Sequence, residues 1–248
     1  MTSPRADVDS LIRSLKAYKT IGVTEVYNPV KREKKPEKPA VKPVKQVLRA
    51  PVPEKPGKTQ EAFGELDAYR KEIENCRLCS LGKTRINFVF GSGDPKAELV
   101  FIGEAPGADE DEQGLPFVGR AGEKLTQIIE SVKFKREETY ILNVLKCRPP
   151  QNRAPLPEEV EKCLPYLVRQ IEIIKPKLIC CLGASAARAL LDFKSSLGSL
   201  RGKLHSFMGI PVIVTYHPAA IFRNPAYRLD IWKDIKFVKK EYDKLVTG

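Results

Sequence analysis

An α/β fold is predicted, three layers of α/β/α with a central, mostly parallel four-stranded sheet. A disordered, basic, Pro/Lys-rich N-terminal extension precedes it. Two observations carry this. Four short apolar runs, Leu99–Ile102, Tyr140–Leu145, Leu178–Leu182 and Val212–Thr215, have strand character. Helical stretches near Ala121–Val132, Glu158–Ile174 and Ser185–Leu191 lie between them. Continuous apolar strands alternating with helices imply a parallel sheet covered on both faces.

The 248 residues are 42% apolar and 30% charged, enough for a real core and incompatible with a wholly disordered chain. No apolar run approaches bilayer length, and Met1–Ser10 lacks the apolar stretch of a secretory signal. A soluble protein of the prokaryotic cytoplasm is expected. Residues 1–28 place Val8, Leu11, Ile12, Leu15 and Tyr18 at helical spacing, a short amphipathic helix that needs a surface to dock on. Residues 29–59 form a Lys/Pro-rich linker. Within it, Lys31–Lys58 holds eight Lys and two Arg against three Glu, which is most of the net charge of +12. Such a segment reads as an extended tether, and a basic tether beside a basic body suits a polyanion such as nucleic acid. The globular domain spans residues 60–248. It opens with a helix through Phe63, Leu66 and Ile73 that leads into Cys76.

In parallel α/β sheets, ligands bind outside the carboxyl ends of the strands. The unusual residues fall there: Gly103-Glu104-Ala105-Pro106-Gly107 after the first strand, Asn143 and Cys147 at the second, Tyr216-His217-Pro218 at the fourth. The first loop has neither nucleotide-binding glycine fingerprint.

Cys180 and Cys181 sit inside an apolar strand and read as small core residues. Cys76, Cys79, Cys147 and Cys163 follow a different pattern: C-x2-C, 67 residues, C, 15 residues, C. One close pair with two isolated cysteines favours a [4Fe–4S] cluster, with zinc as the alternative.

Three stretches carry a resemblance: Gly103–Gly122 with its Pro-Phe-Val-Gly frame around Phe117, Asn143-Val-Leu-Lys-Cys-Arg-Pro-Pro150, and Thr215-Tyr-His-Pro-Ala-Ala-Ile-Phe-Arg-Asn-Pro225. Together they resemble the iron–sulfur (family 4) uracil-DNA glycosylases over Leu66–Leu245, with all four cysteines at the family's cluster positions. The resemblance implies a monofunctional enzyme that flips deoxyuridine out of DNA, hydrolyses the N-glycosidic bond and leaves an abasic site for base excision repair. The alternative is a catalytically weak DNA-binding module serving replication or repair.

Site roles follow from the same resemblance. Phe117 stacks on uracil, and Asn143 pairs with its O4 and N3–H. His217 donates to O2 as charge develops there. Glu110 crowds a 5-methyl group and so excludes thymine. Ala105 stands where some related families place a water-activating Asp, so Glu104 or backbone carbonyls position the water. Ile221 and Phe222 form the wedge that fills the gap in the DNA. Arg223, with Lys146, Arg148 and Arg120, holds phosphates. Cys76, Cys79, Cys147 and Cys163 hold a structural [4Fe–4S] cluster. Uracil-containing DNA is the expected partner of a monomer, and the N-terminal helix recruits a replication or repair protein.

Overall fold

The computed structural model describes residues 61–191, 193 and 196–247. The N-terminal helix and linker expected over residues 1–59 lie outside the described residues. Helix α1 (Glu61–Ile73) and the single turn α2 (Leu81–Thr84) precede the sheet. Then follow β1 (Ser92–Gly93), β2 (Leu99–Gly103), α3 (Ala108–Gln113), α4 (Arg120–Glu130), β3 (Tyr140–Asn143), α5 (Pro157–Ile174), β4 (Leu178–Leu182) and α6 (Ala184–Leu190). The chain continues through α7 (Leu197–Leu200), β5 (Leu204–Phe207), β6 (Ile210–Thr215), α8 (Ala220–Arg223) and α9 (Tyr227–Thr247). Short 3₁₀ turns occupy Arg136–Glu138 and Pro150–Asn152.

The sheet has six strands in the order β1-β3-β2-β4-β6-β5, not the four expected. The four predicted strands are its parallel centre, and β1 and β5 add antiparallel edges. The edges carry no such signal in the sequence because an edge strand need not bury both faces. β1 is only Ser-Gly, and β5 alternates exposed and half-buried residues, so neither leaves a continuous apolar run. Met208 and Gly209 turn β5 into β6 with φ of 53° and 81°, the left-handed pair of a tight hairpin.

Strand alternation splits the core between the two faces. Val100, Ile102, Leu142, Cys181 and Val214 pack under α1, α5 and α6 with Leu66, Leu167 and Ile171. Leu99, Phe101, Ile141, Cys180 and Ile213 pack under α4 and α9 with Leu125, Ile129, Ile235 and Val238. Cys180 and Cys181 are therefore core residues, one on each side. No helix of the described residues is long and apolar enough to cross a membrane.

Candidate active site

Parallel β2 and β3 end in register, with Gly103 opposite Asn143. The Asn143 side chain is buried, yet among the described residues neither its Oδ1 nor its Nδ2 has a hydrogen-bond partner. An unmet buried amide costs about 1–3 kcal/mol, so a protein keeps one where something else is to bind. Gly103 makes the room: a Cβ there would lie 2.4 Å from Asn143 Oδ1 and 2.6 Å from two ring atoms of Phe117. Amide and aromatic ring thus share one small space at the carboxyl edge of the sheet.

Phe117 reaches that space from the loop between α3 and α4 with φ of 53°, a left-handed conformation costly for a side chain of this size. Its ring lies 5.5 Å from the His217 ring, centroid to centroid, at a tilt of 30°. His217 follows β6. Its Nδ1 accepts the Ala219 backbone N–H at 3.2 Å, which leaves the ring proton on Nε2. Burial, helped by the positive charge of Arg223 and opposed by Glu110, pulls its pKa down from 6.5 to about 4. The imidazole is neutral, with an N–H to donate. Below it, Thr215 Oγ1 donates to Asp234 Oδ2 at 2.7 Å, and Arg201 Nε donates to the same oxygen at 2.6 Å. This largely buried network ties the end of β6 to α9. Nothing local in the sequence signals it, because its members are far apart along the chain.

Glu110 is anchored. One carboxylate oxygen accepts the Gly107 N–H at 3.0 Å and the other accepts Val118 N–H and Gly119 N–H, both at 3.0 Å. Glu104 and Ala105 begin the same loop, half-buried at the end of β2, where Glu104's carbonyl accepts Leu145 N–H at 3.0 Å.

Cys76, Cys79, Cys147 and Cys163 come together on the lining of one cavity, with Phe88 and Tyr166. They arrive from the α1–α2 turn, the segment after β3, and α5. Three groups donate to their sulfurs: Tyr166 O–H to Cys76 at 3.3 Å, Arg85 to Cys147 at 3.2 Å, and Lys146 N–H to Cys163 at 3.4 Å. Among the described residues no three ligand side chains converge as they would on a single ion. Four cysteines on one lining, three of them accepting a hydrogen bond, are soft sulfur donors of the kind that ligate metal as thiolates. Burial, with the neighbouring cysteines, pushes the Cys163 thiol up to about 12 and Cys147 upward as well, while Lys146 beside Cys163 and Arg85 beside Cys147 pull the other way.

The family model of the uracil DNA glycosylase superfamily matches residues 90–236. A protein named type-4 uracil-DNA glycosylase from Archaeoglobus fulgidus is 49% identical over 180 residues, covering 69% of this chain and 90% of the relative. Its namesake from Pyrobaculum aerophilum is 45% identical over 179 residues, covering 69% and 91%. That from Thermotoga maritima is 42% identical over 191 residues, covering 74% and 98%. The chain belongs to the type-4 branch of the uracil DNA glycosylase superfamily. In this type-4 chain the remaining expected residues divide. Phe222 is exposed, with the Arg120 guanidinium 4.7 Å above its ring, and Arg223 is exposed beside it. Ile221 instead packs inward, 8% exposed, so the apolar tip is Phe222 alone. Arg148 is half-buried and donates to Asn152. Lys146 corrects the expectation of a phosphate contact. It is fully buried, its Nζ donates to the Asn143 backbone carbonyl at 2.9 Å, and burial lowers its pKa to about 8. Its methylenes fill core volume that a surface lysine would not reach.

Proposed function

We propose that the chain is a monofunctional uracil-DNA glycosylase, a hydrolase acting on the N-glycosyl bond of deoxyuridine in DNA repair. The observation that carries this is the buried, unpartnered Asn143 amide beside the Phe117 ring. The amide offers one acceptor and one donor side by side, and turned with its oxygen toward N3–H and its nitrogen toward O4 it complements uracil, whereas cytosine presents the reverse pattern. With uracil stacked on Phe117, the neutral His217 donates from Nε2 to O2. As the C1′–N1 bond breaks, its electron pair moves into the departing base, and this hydrogen bond strengthens. Water positioned by Glu104 and nearby carbonyls, with Ala105 lining the pocket, adds to C1′ and gives up a proton, and the uracil anion takes up one in turn on release. The Glu110 carboxylate, fixed by three amides, stands as the wall against a 5-methyl group. Phe222 enters the gap in the stack with Ile221 bracing it from below, and Arg223 meets phosphate.

Cys76, Cys79, Cys147 and Cys163 would hold a [4Fe–4S] cluster, which when bound cross-links three segments and carries no step of the hydrolysis. Residues 60–248 are the catalytic domain, 29–59 a tether and 1–28 a helix for a replication or repair partner. The protein would act on uracil-containing DNA in the cytosol as a monomer. The test is incubation with an oligonucleotide carrying one deoxyuridine, beside a thymine control, then alkali. Strand breakage at uracil alone is expected from wild type. Asn143→Ala should lose activity on the order of 10²-fold with no fall in melting temperature, since it removes an unmet buried amide. Folded wild-type protein that yields no alkali-labile site refutes the assignment and leaves a DNA-binding module.

A further inference from the structure

Phe117 pays for its place in the pocket with a left-handed backbone, and two oppositely charged side chains grip its turn from opposite sides. Arg136 stands in the 3₁₀ turn that leads into β3. One guanidinium nitrogen donates to the carbonyls of Pro116 (2.9 Å) and Phe117 (3.0 Å), the other to Thr126 Oγ1 on α4 (3.0 Å). Glu110 takes the complementary groups, the N–H of Val118 and Gly119. Every carbonyl and amide from 116 to 119 that Arg136 or Glu110 reaches is a polarity match. Close packing completes the grip, since a Cβ on Gly122 would lie 1.9 Å from the Phe117 carbonyl oxygen. Thr126 Oγ1 also donates to the Gly122 carbonyl at 3.2 Å, so guanidinium, helix and turn form one unit.

We infer that Arg136 is a positioning residue for uracil recognition, holding Phe117 in its strained conformation through the Pro116 and Phe117 carbonyls. The planar fork meets the two carbonyls with one nitrogen and the hydroxyl on α4 with the other, a spread that the compact ammonium of a lysine matches only in part. Arg136 touches no substrate. Its effect on the base passes through the Phe117 ring, and the inference rests on the assignment of Phe117 as the stacking platform.

The experiment is a double-mutant cycle on the full-length protein, read as the inhibition constant for free uracil and as kcat and KM on a deoxyuridine oligonucleotide. Phe117→Ala should weaken uracil inhibition on the order of tenfold, the scale of a lost base–aromatic stack. Arg136→Met should weaken it about fivefold in the wild-type background and leave it unchanged beside Phe117→Ala, the signature of two residues acting as one. Arg136→Lys, which keeps the charge and much of the packing, should recover part of the loss and serves where Arg136→Met does not fold. Equal losses from Arg136→Met in both backgrounds place its action elsewhere and overturn the inference. So does unchanged uracil inhibition in the folded Arg136 variants while Phe117→Ala loses it. If Phe117→Ala itself binds uracil normally, the platform assignment fails, and the inference with it.

Discussion

At the scale of residues, the pocket trades stability for recognition. Among the described residues Asn143 is buried without partners, Phe117 sits at φ of 53°, and His217 is held neutral, each costing free energy that a base bound as proposed would offset. The histidine gives this a pH signature. Its pKa is about 4 in the folded protein against 6.5 ordinarily, so between those values the unfolded chain binds the additional proton. Stability therefore rises with pH across that window and is lost as pH falls from about 6.5 towards 4. Urea titrations of wild type and His217→Gln should show a smaller pH slope for the variant in that range. Equal slopes would mean that the folded imidazole titrates normally. Residue types at the strand ends were legible from the sequence, because Asn143 and His217 stand where an apolar run stops. The burial of Lys146 was not legible, since a lysine beside a cysteine and an arginine reads as surface until the packing around it is known.

At the scale of elements, β2, β3 and β6 deliver the pocket, while the α1–α2 turn, the segment after β3 and α5 deliver the cysteines. Cys147 lies four residues beyond Asn143, so one short segment serves both. A cross-link among segments this far apart stabilises by about 3 kcal/mol, chiefly by closing loops in the unfolded chain. For a domain of this size that is roughly 10 °C in melting temperature. Removing the proposed cluster by oxidation and chelation should lower Tm by that order and open residues 74–90 to proteolysis before the sheet. A stripped protein with the Tm of the iron-loaded form would remove the structural role of the cluster. The parallel strands were legible because burial on both faces demands unbroken apolar runs. The edges β1 and β5, half in water, carry no such demand.

At the scale of the whole molecule, charge and chemistry occupy different parts of the chain. Most of the excess positive charge belongs to Lys31–Lys58, whereas every proposed pocket and cysteine residue lies between Cys76 and Arg223. A basic segment that only raises affinity for a polyanion acts over long DNA and is screened by salt. Deleting residues 1–58 should leave activity on a short oligonucleotide largely intact and make activity on long DNA less salt-sensitive. A large loss on the short substrate would place part of the active site in the removed segment.

By itself the sequence determined the α/β class, the four central strands, the strand ends that bear the site and the cysteine set. Each of these is written in local pattern or in contiguous motifs. Tertiary structure alone decided that Asn143 has no partner, that Lys146 is interior, that Asp234 and Arg201 brace β6, and that Arg136 and Glu110 hold the Phe117 turn. These are contacts between residues distant along the chain, and their energies depend on burial and geometry that exist only after the layers have packed.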